Sequence, residues 1–339
     1  MTISDDQGTL HVPARDIPIP TSISPEAQAV LAMGSLAPGD QQRPALDDVE
    51  GWRAYVEATD TFVLSLVGGR LQAFTGTIDE RTIDSTRGGC PVYVVTPVGI
   101  ADDDRRIYLD IHGGAWVLGG GASCRGTGVT AATQTGARTW AVDYRMPPDH
   151  PYPTPLDDCV AAYRTLLDER EPHEIVVGGA SAGGNLVAAM LLRARDEGLP
   201  MPAGLVINTG AFDLTASSDS WQTNQGLDNL LSNQESACME LYAGGVDRRD
   251  PHLSPVYGDL AGLPDTILLT GTRDLLLSDN VRMHRALRAA GVDAQLHVWE
   301  AAAHGGFLGM APEDEDRVGE LRRFVDRQWS RAADVARGT

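Results

Sequence analysis

The chain has 339 residues, and its 47 acidic residues against 27 basic ones give a formal charge of −20 at pH 7. A polyanion such as nucleic acid is therefore not an expected partner. No lysine occurs anywhere in the sequence, which excludes Schiff-base, pyridoxal-phosphate and Ser-Lys enzymes and P-loop nucleotide hydrolases, because each of these needs a lysine in its site.

The composition, with 42% hydrophobic and 22% charged residues, is that of a globular protein. The length fits two domains, or one large α/β domain with an appended cap. Four widely spaced cysteines lack the spacing of a metal site, so we expect no metal. The sequence has no signal-peptide pattern and no apolar run of about 20 residues, so we expect a soluble, cytoplasmic protein that does not bind membranes.

Residues 1–80 predict a helical segment. After a proline-rich start, residues 25–33 and 45–67 place apolar side chains at helical spacing. The second helix is expected to stop at Gly68-Gly69, because glycine commonly follows a helix C-terminus. We interpret residues 1–80 as a helical attachment without a sheet of its own, and residues 81–339 as the main domain.

From Pro91 onward, short apolar runs alternate with helical patterns, which predicts βαβ units and a mainly parallel sheet flanked by helices. The predicted strands are 92–96, 106–111, 138–143, 174–179, 203–208, 266–270 and 294–299, and the predicted helices are 155–169, 184–196, 279–290 and 314–331. Residues 211–264 are too long for an ordinary connection. We expect this excursion to lie over the sheet.

The strongest motif is Gly179-Ala180-Ser181-Ala182-Gly183, between a predicted strand and a predicted helix. This Gly-x-Ser-x-Gly pattern is typical of a nucleophile elbow, in which small flanking residues allow a sharp turn that exposes the serine hydroxyl. A glycine-rich turn that binds a dinucleotide is the alternative. Its fingerprint requires a second glycine where Ser181 stands.

A second motif, His112-Gly113-Gly114, follows the predicted strand 106–111. Acyl transfer places negative charge on a carbonyl oxygen, and glycines allow main-chain N–H groups to approach that oxygen closely. We predict an oxyanion hole formed by the amides of Gly113, Gly114 and Ala182. His112 itself is expected to orient the loop and not to act as the base.

The general base is expected near the C-terminus, after an acid, by the chain order of this motif. His304 fits, because it lies in a loop of small residues after the last predicted strand. The acid is predicted to be Asp274, at the end of the preceding strand, where it would fix the imidazole tautomer. Asp279 is expected to cap the following helix, and Glu300 is a weaker candidate for the acid. The other histidines considered are His11, His150, His173, His252, His284 and His297.

With these motifs in order, residues 90–330 resemble the hormone-sensitive-lipase-like branch of the α/β-hydrolases, the family IV bacterial esterases. The segment from Asp143 to Pro153 also resembles a motif of that family, and we expect Asp143 and Arg145 to form a structural ion pair. Four departures concern the pocket. Ala180 stands where the family commonly has an acidic residue, Ala115 replaces a third loop glycine, and Leu275 follows Asp274 without the usual proline. Gly305-Gly306-Phe307 is also shifted by one residue relative to the family's His-Gly-Phe.

The resemblance implies an α/β-hydrolase fold in which residues 1–80 form a helical cap segment and residues 211–250 contribute to the cap. It also implies hydrolysis of small to medium, neutral carboxylic esters without a metal or organic cofactor. A lactone would undergo the same chemistry, and homodimers are common in the family. The candidate pocket residues are Trp116, Phe212, Trp221 and Phe307. Two alternatives remain open at this point: a non-catalytic small-molecule binder on the same fold, and a Rossmann-type oxidoreductase.

Overall fold

A computed structural model of the chain describes residues 3–4, 10–12, 14–35, 43–86 and 88–336, without the side chains of 3–4, 10–11, 65–67, 70 and 332–336. Within the predicted cap segment 1–80, residues 1–2, 5–9, 13 and 36–42 lie outside the described residues. The strands are β1 (Ile3–Ser4), β2 (Leu10–His11), β3 (Thr77–Ser85), β4 (Gly88–Thr96), β5 (Ile107–Ile111), β6 (Arg138–Val142), β7 (Ile175–Ala180), β8 (Gly204–Asn208), β9 (Thr266–Gly271) and β10 (Ala294–Trp299). The helices are α1 (Pro25–Ala32), α2 (Val49–Ala73), α3 (Ala122–Thr135), α4 (Thr154–Leu167), α5 (Ala182–Asp196), α6 (Ser220–Thr223), α7 (Glu235–Ala243), α8 (Leu277–Ala289) and α9 (Pro312–Ala336), with short 3₁₀ turns at Pro172–Glu174 and Pro255–Tyr257.

Eight strands form one sheet in the order β10-β9-β8-β7-β5-β6-β4-β3. All neighbours are parallel except β4, which is antiparallel to both β3 and β6. Parallel strands end at the same edge of a sheet, so the loops after β5, β7, β9 and β10 emerge together. The predicted α/β class and mainly parallel sheet are therefore confirmed.

Both faces of the sheet are buried, because successive side chains of a strand point to opposite faces. On one face, Ile107, Leu109 and Ile111 of β5 pack with side chains of α4 and α5. On the other face, Tyr108 packs with side chains of α9. This two-sided burial explains why the strand sequences are continuously apolar.

The sequence missed three strands and one long helix. The expectation that residues 1–80 have no sheet of their own is wrong, because the short strands β1 and β2 pair in a two-stranded antiparallel sheet. β3 is mostly polar, and Ile83 is its only buried residue, so no apolar alternation marks this edge strand. α3 contains two glycines and four threonines, which are poor helix formers. It forms because it packs tightly on the sheet: a Cβ at Gly128 would lie 2.7 Å from the Ala141 Cβ.

The expected end of the second helix at Gly68-Gly69 is wrong. α2 continues through both glycines to Ala73, although each glycine costs a helix about 1 kcal/mol. A side chain at either glycine would meet nothing within 4 Å. Packing of α2 along α3 outweighs the local preference.

Two contact regions join the N-terminal segment to the main domain. Trp52 and Tyr55 of α2 pack with Val117 and with Cys238 of α7, while α1 packs on the loop 301–311.

Residues 211–264 contain α6 and α7. The division at residue 80 stays a prediction, and β3 begins at Thr77, on the N-terminal side of it. None of the described helices is both long and apolar enough to span a bilayer.

The expectation that Asp143 and Arg145 form an ion pair is wrong. The Arg145 guanidinium instead binds Asp158 through two nitrogens, at 2.6 and 2.9 Å. The Asp143 carboxylate accepts the Gly121 N–H at 3.1 Å and the Tyr93 hydroxyl at 3.0 Å. Both residues thus stabilise loops behind β5 and β6, through different partners.

Candidate active site

Ser181 lies at a sharp turn between β7 and α5, and its φ of 57° is uncommon for a residue with a side chain. Glycine is required on both sides of Ser181 because neighbouring main-chain atoms lie too close to leave room for a Cβ. A Cβ at Gly183 would lie 1.9 Å from the Ile111 carbonyl oxygen, and one at Gly179 would lie 2.4 Å from the main chain of Gly183. The motif residues that the sequence singled out are therefore the ones that permit this turn.

The His112-Gly113-Gly114 loop follows β5, which lies next to β7. A Cβ at Gly113 would lie 3.2 Å from the Ser181 Cβ, so the loop backbone passes directly beside the serine. The N–H groups of Gly113 and Gly114 donate no hydrogen bond to another described residue. Ala182 is the first residue of α5, where the N–H group has no partner within the helix.

His112 is buried beneath this loop. Its ring stacks on Tyr144 with centroids 4.1 Å apart, and its Nδ1 donates to the Gly113 carbonyl oxygen at 2.7 Å. The Tyr144 hydroxyl donates to the His112 carbonyl oxygen at 2.9 Å. These contacts hold the loop from below and leave His112 away from solvent, as an orienting residue requires.

His304 lies in the loop after β10, and its Nδ1 is 3.1 Å from Oδ1 of Asp274. Asp274 is completely buried. Its Oδ2 accepts the Thr270 hydroxyl at 2.8 Å, and its Oδ1 also accepts the Leu276 N–H at 2.9 Å. The carboxylate is thus fixed, and it faces the imidazole across the carboxyl ends of β9 and β10.

Burial acts to lower the pKa of His304, because it disfavours the charged imidazolium. The Asp274 carboxylate opposes this through charge and hydrogen bonding, and Asp228 and Glu235 add to its effect. The net result is a pKa above the ordinary value of 6.5. A histidine in this setting can hold a proton transiently, as a general base must.

Asp228 was not found from the sequence. One of its carboxylate oxygens lies within 4.8 Å of a carboxylate oxygen of Asp274 and of a ring nitrogen of His304, and burial raises the pKa of Asp228. It accepts main-chain N–H groups from Leu230 at 2.9 Å and from Leu275 at 2.8 Å. A lone aspartate in a long connection carries no pattern that would have pointed to this position.

The competing candidates lie elsewhere. Asp279, expected to cap α8, instead accepts the N–H groups of Phe212 and Asp213 at 2.8 and 3.0 Å, so that expectation is wrong. Glu300 is exposed and accepts the Ser22 hydroxyl at 2.8 Å. The His284 ring lies 3.2 Å from the Ala294 carbonyl oxygen, at the amino end of β10 and away from the loops that follow the strands.

The four predicted pocket aromatics are nearly or fully buried. Trp116, Phe212 and Trp221 belong to the central core, whereas Phe307 packs with α1 residues. Trp116 stacks on Tyr242 with centroids 5.3 Å apart, and its indole nitrogen donates to Asn185 at 3.3 Å. Their role as pocket lining stays a prediction.

Comparison with known proteins gives consistent similarities. The family model described as the alpha/beta hydrolase fold matches residues 108–308. An acetyl-hydrolase of Streptomyces hygroscopicus is 35% identical over 221 residues, which cover 65% of this chain and 73% of that protein. A carboxylesterase of Mycobacterium tuberculosis is 32% identical over 239 residues, which cover 67% of this chain and 75% of that protein.

Solved structures agree with these sequence similarities. The crystal structure of an esterase is similar with a TM-score of 0.85 and 33% identity, covering 93% of this chain and 98% of that one. An esterase from the bacterial hormone-sensitive lipase family gives a TM-score of 0.73 at 30% identity, covering 90% of this chain and 99% of that one.

Proposed function

The chain belongs to the α/β-hydrolase family, and we propose that Ser181, His304 and Asp274 form its catalytic triad for the hydrolysis of small to medium-sized neutral carboxylic esters. The predicted resemblance to the hormone-sensitive-lipase-like branch is confirmed, and the protein is an enzyme of the carboxylesterase type. The main observation in support of this triad is the Asp274–His304 hydrogen bond. It lies at the carboxyl ends of the strands, where the turn that contains Ser181 also leaves the sheet.

In the first step, Ser181 Oγ attacks the ester carbonyl carbon while His304 accepts the hydroxyl proton. The tetrahedral intermediate then collapses, the bond to the alcohol oxygen breaks, and His304 donates its proton to the leaving alcohol. An acyl-enzyme remains on Ser181. Water, deprotonated by His304, then attacks the acyl carbon. The bond between Ser181 Oγ and the acyl carbon breaks, the carboxylic acid leaves, and His304 returns the proton to Oγ, which restores the serine hydroxyl.

The developing oxyanion is assigned to the N–H groups of Gly113, Gly114 and Ala182. Each such donor is worth about 3 kcal/mol in the transition state. The absence of a Cβ at Gly113, whose Cβ position would lie 2.8 Å from the Ala180 carbonyl oxygen, supports this assignment because any larger residue would displace the loop. Asp274 holds the imidazole in the tautomer that accepts at Nε2.

The −20 charge favours neutral substrates, since anionic ones associate more slowly at low salt. A lactone is the second candidate substrate, because its ring ester undergoes the same two steps and releases a hydroxy acid. A homodimer is also proposed from the family resemblance, and light scattering after size exclusion tests it.

Hydrolysis of a panel of p-nitrophenyl esters and lactones tests the function. We expect turnover by the wild type and by the control Ser236→Ala, an exposed serine that bonds only to the Asn233 carbonyl among described residues. Ser181→Ala should fall to background. Failure of the wild type on every member, together with no labelling of Ser181 by an organophosphonate, would favour the binding-protein alternative.

A further inference from the structure

A cavity of about 430 Å³ lies on the α3 and α9 side of the sheet, directly behind the Gly113-Gly114 loop. This volume is in the range of small-molecule pockets, about 300–1,000 Å³. Ser181, Asp274 and His304 do not line the cavity, but residues next to the candidate active site do: Gly113, Gly114, Gly179, Ala180 and Gly305.

Small residues make up much of the cavity wall and leave room for it. Along α3 the small lining residues are Ser123, Gly126, Thr127, Thr130, Ala131 and Thr135, and Gln134 also lines the cavity. At the end nearest Ser181, Ala180 is exposed although the preceding residues of β7 are buried. A side chain larger than a methyl group at position 180 would enter the opening of the cavity beside the nucleophile.

Two buried polar atoms on the cavity wall lack a hydrogen-bond partner among the described residues, although the Asp110 side chain also interacts with the Thr127 side chain. Oδ2 of Asp110 and Oγ of Ser123 are buried and make no hydrogen bond with another described residue. Asp110 is 8% exposed and Ser123 is 6% exposed, and both line the cavity. A buried polar atom left unpaired costs about 1–3 kcal/mol, so these two atoms call for a partner that enters from outside the described chain.

The position of Asp110 determines how far from Ser181 the polar group of such a partner must lie. Asp110 lies opposite Gly178 in the β5–β7 register, three residues before Ser181. At about 3.3 Å per residue, the polar end of the cavity is about 10 Å from the nucleophile. Burial raises the pKa of the Asp110 carboxyl to about 7, so near neutral pH this group is present both as a hydrogen-bond donor and as an acceptor.

We propose that this cavity receives the acyl arm of the ester, and that the preferred arm carries a hydroxyl group about 10 Å from the reacting carbonyl, bound by Asp110 and Ser123. The inference rests on the proposed function. A hydroxyl satisfies both atoms at once, because it donates to the Asp110 carboxylate and accepts from the Ser123 hydroxyl. We assign the cavity to the acyl part of the ester, and not to the alcohol part, because the acyl part stays attached to Ser181 in the acyl-enzyme.

A carboxylate-terminated arm is the competing ligand. Arg317 of α9 lines the same cavity and makes no hydrogen bond or ion pair with another described residue, although Asp314 and Asp274 act on it through charge. The Asp60 carboxylate also lines the cavity. Because Asp60 and Asp110 both lie on the walls, a further negative charge on the ligand is opposed, which favours the neutral hydroxyl.

The test compares p-nitrophenyl esters from hexanoyl to decanoyl whose acyl chains end in methyl, hydroxyl or carboxylate. In the wild type we expect the hydroxyl ester to exceed the methyl ester about tenfold in kcat/KM at the best length, the worth of one or two hydrogen bonds. Ser123→Ala and Asp110→Leu should each lower this ratio threefold or more. The control Ser236→Ala should keep it.

Ala180→Leu provides a second variant that leaves the polar pair intact. Its activity on long acyl esters should fall about tenfold more than its activity on p-nitrophenyl acetate, because the leucine fills the opening. Thermal unfolding of each variant identifies any that fails to fold, and the remaining variants then decide the result.

Equal rates for methyl and hydroxyl esters in an active wild type would overturn the inference and assign the cavity to water, while leaving the proposed function in place. A preference for the carboxylate ester that is lost in Arg317→Met would overturn it in favour of an anionic arm. No hydrolysis of any ester, with no phosphonate labelling of Ser181, would instead remove the proposed function itself.

Discussion

Asp228, in the loop before α7, accepts the main-chain N–H of Leu275 at 2.8 Å, so a carboxylate from the 211–264 excursion holds the residue that follows Asp274. Asn224 of the same excursion donates to the Asp274 carbonyl oxygen at 2.8 Å. The acid of the proposed triad is therefore fixed from both sides, by its own strand end and by the excursion.

Replacing Asp228 is expected to shift the pH dependence of catalysis. Asp228→Asn removes a negative charge that raises the pKa of His304, so the imidazolium loses its proton at lower pH. The acid limb of the kcat/KM profile should then move to lower pH, with a modest change at the plateau. The control Asp168→Asn, at the end of α4, should leave the profile unmoved. An unchanged profile for Asp228→Asn would show that Asp228 acts on position alone.

The wild-type acid limb is expected above pH 6.5. His304 must be neutral to accept the Ser181 proton, and its pKa is raised above 6.5, so activity falls as pH drops through that raised value. Initial-rate measurements of kcat/KM between pH 5 and 9 test this expectation. A limb centred below 6.5 would mean that burial outweighs the Asp274 carboxylate.

Asp274→Asn should lower kcat by about 10³- to 10⁴-fold with little change in KM, because the amide no longer holds the required tautomer. The thermal stability should change little, since the amide oxygen still accepts one of the two bonds from Thr270 and Leu276. As a comparison, Glu300→Gln, at the weaker candidate acid, should keep full kcat. Loss of kcat in Glu300→Gln instead would reverse the assignment.

Gly183→Ala tests the close approach at the elbow. The new Cβ would lie 1.9 Å from the Ile111 carbonyl oxygen, so α5 or β5 must move, at a cost of about 1–3 kcal/mol or more. We expect a lower melting temperature and a loss of activity larger than the loss of folded protein. The matched variant Gly68→Ala, in an open part of α2, should leave activity intact and stabilise the helix slightly.

The buried pair of Arg43 with Glu235, 2.8 Å apart, joins the N-terminal segment to α7. The two side chains are only 8% and 12% exposed, so Arg43→Gln would leave a buried carboxylate without its partner, at about 3–5 kcal/mol. Denaturant unfolding measures this loss. The double variant with Glu235→Gln should recover most of it, and a double variant no more stable than the single one would show that the ion pair is not the cause.

The sequence by itself determined the α/β class, seven of the eight strands of the main sheet and the motif residues around Ser181, because these depend on local apolar periodicity and on glycines required at one turn. Tertiary structure alone decided the rest. α3 exists because Gly128 allows close packing on the sheet, whereas α2 continues past two glycines in open surroundings because the helix as a whole packs along α3. Asp228 and Asp110 gained their roles from neighbours distant in sequence, since burial and unpaired atoms arise only when the chain is folded.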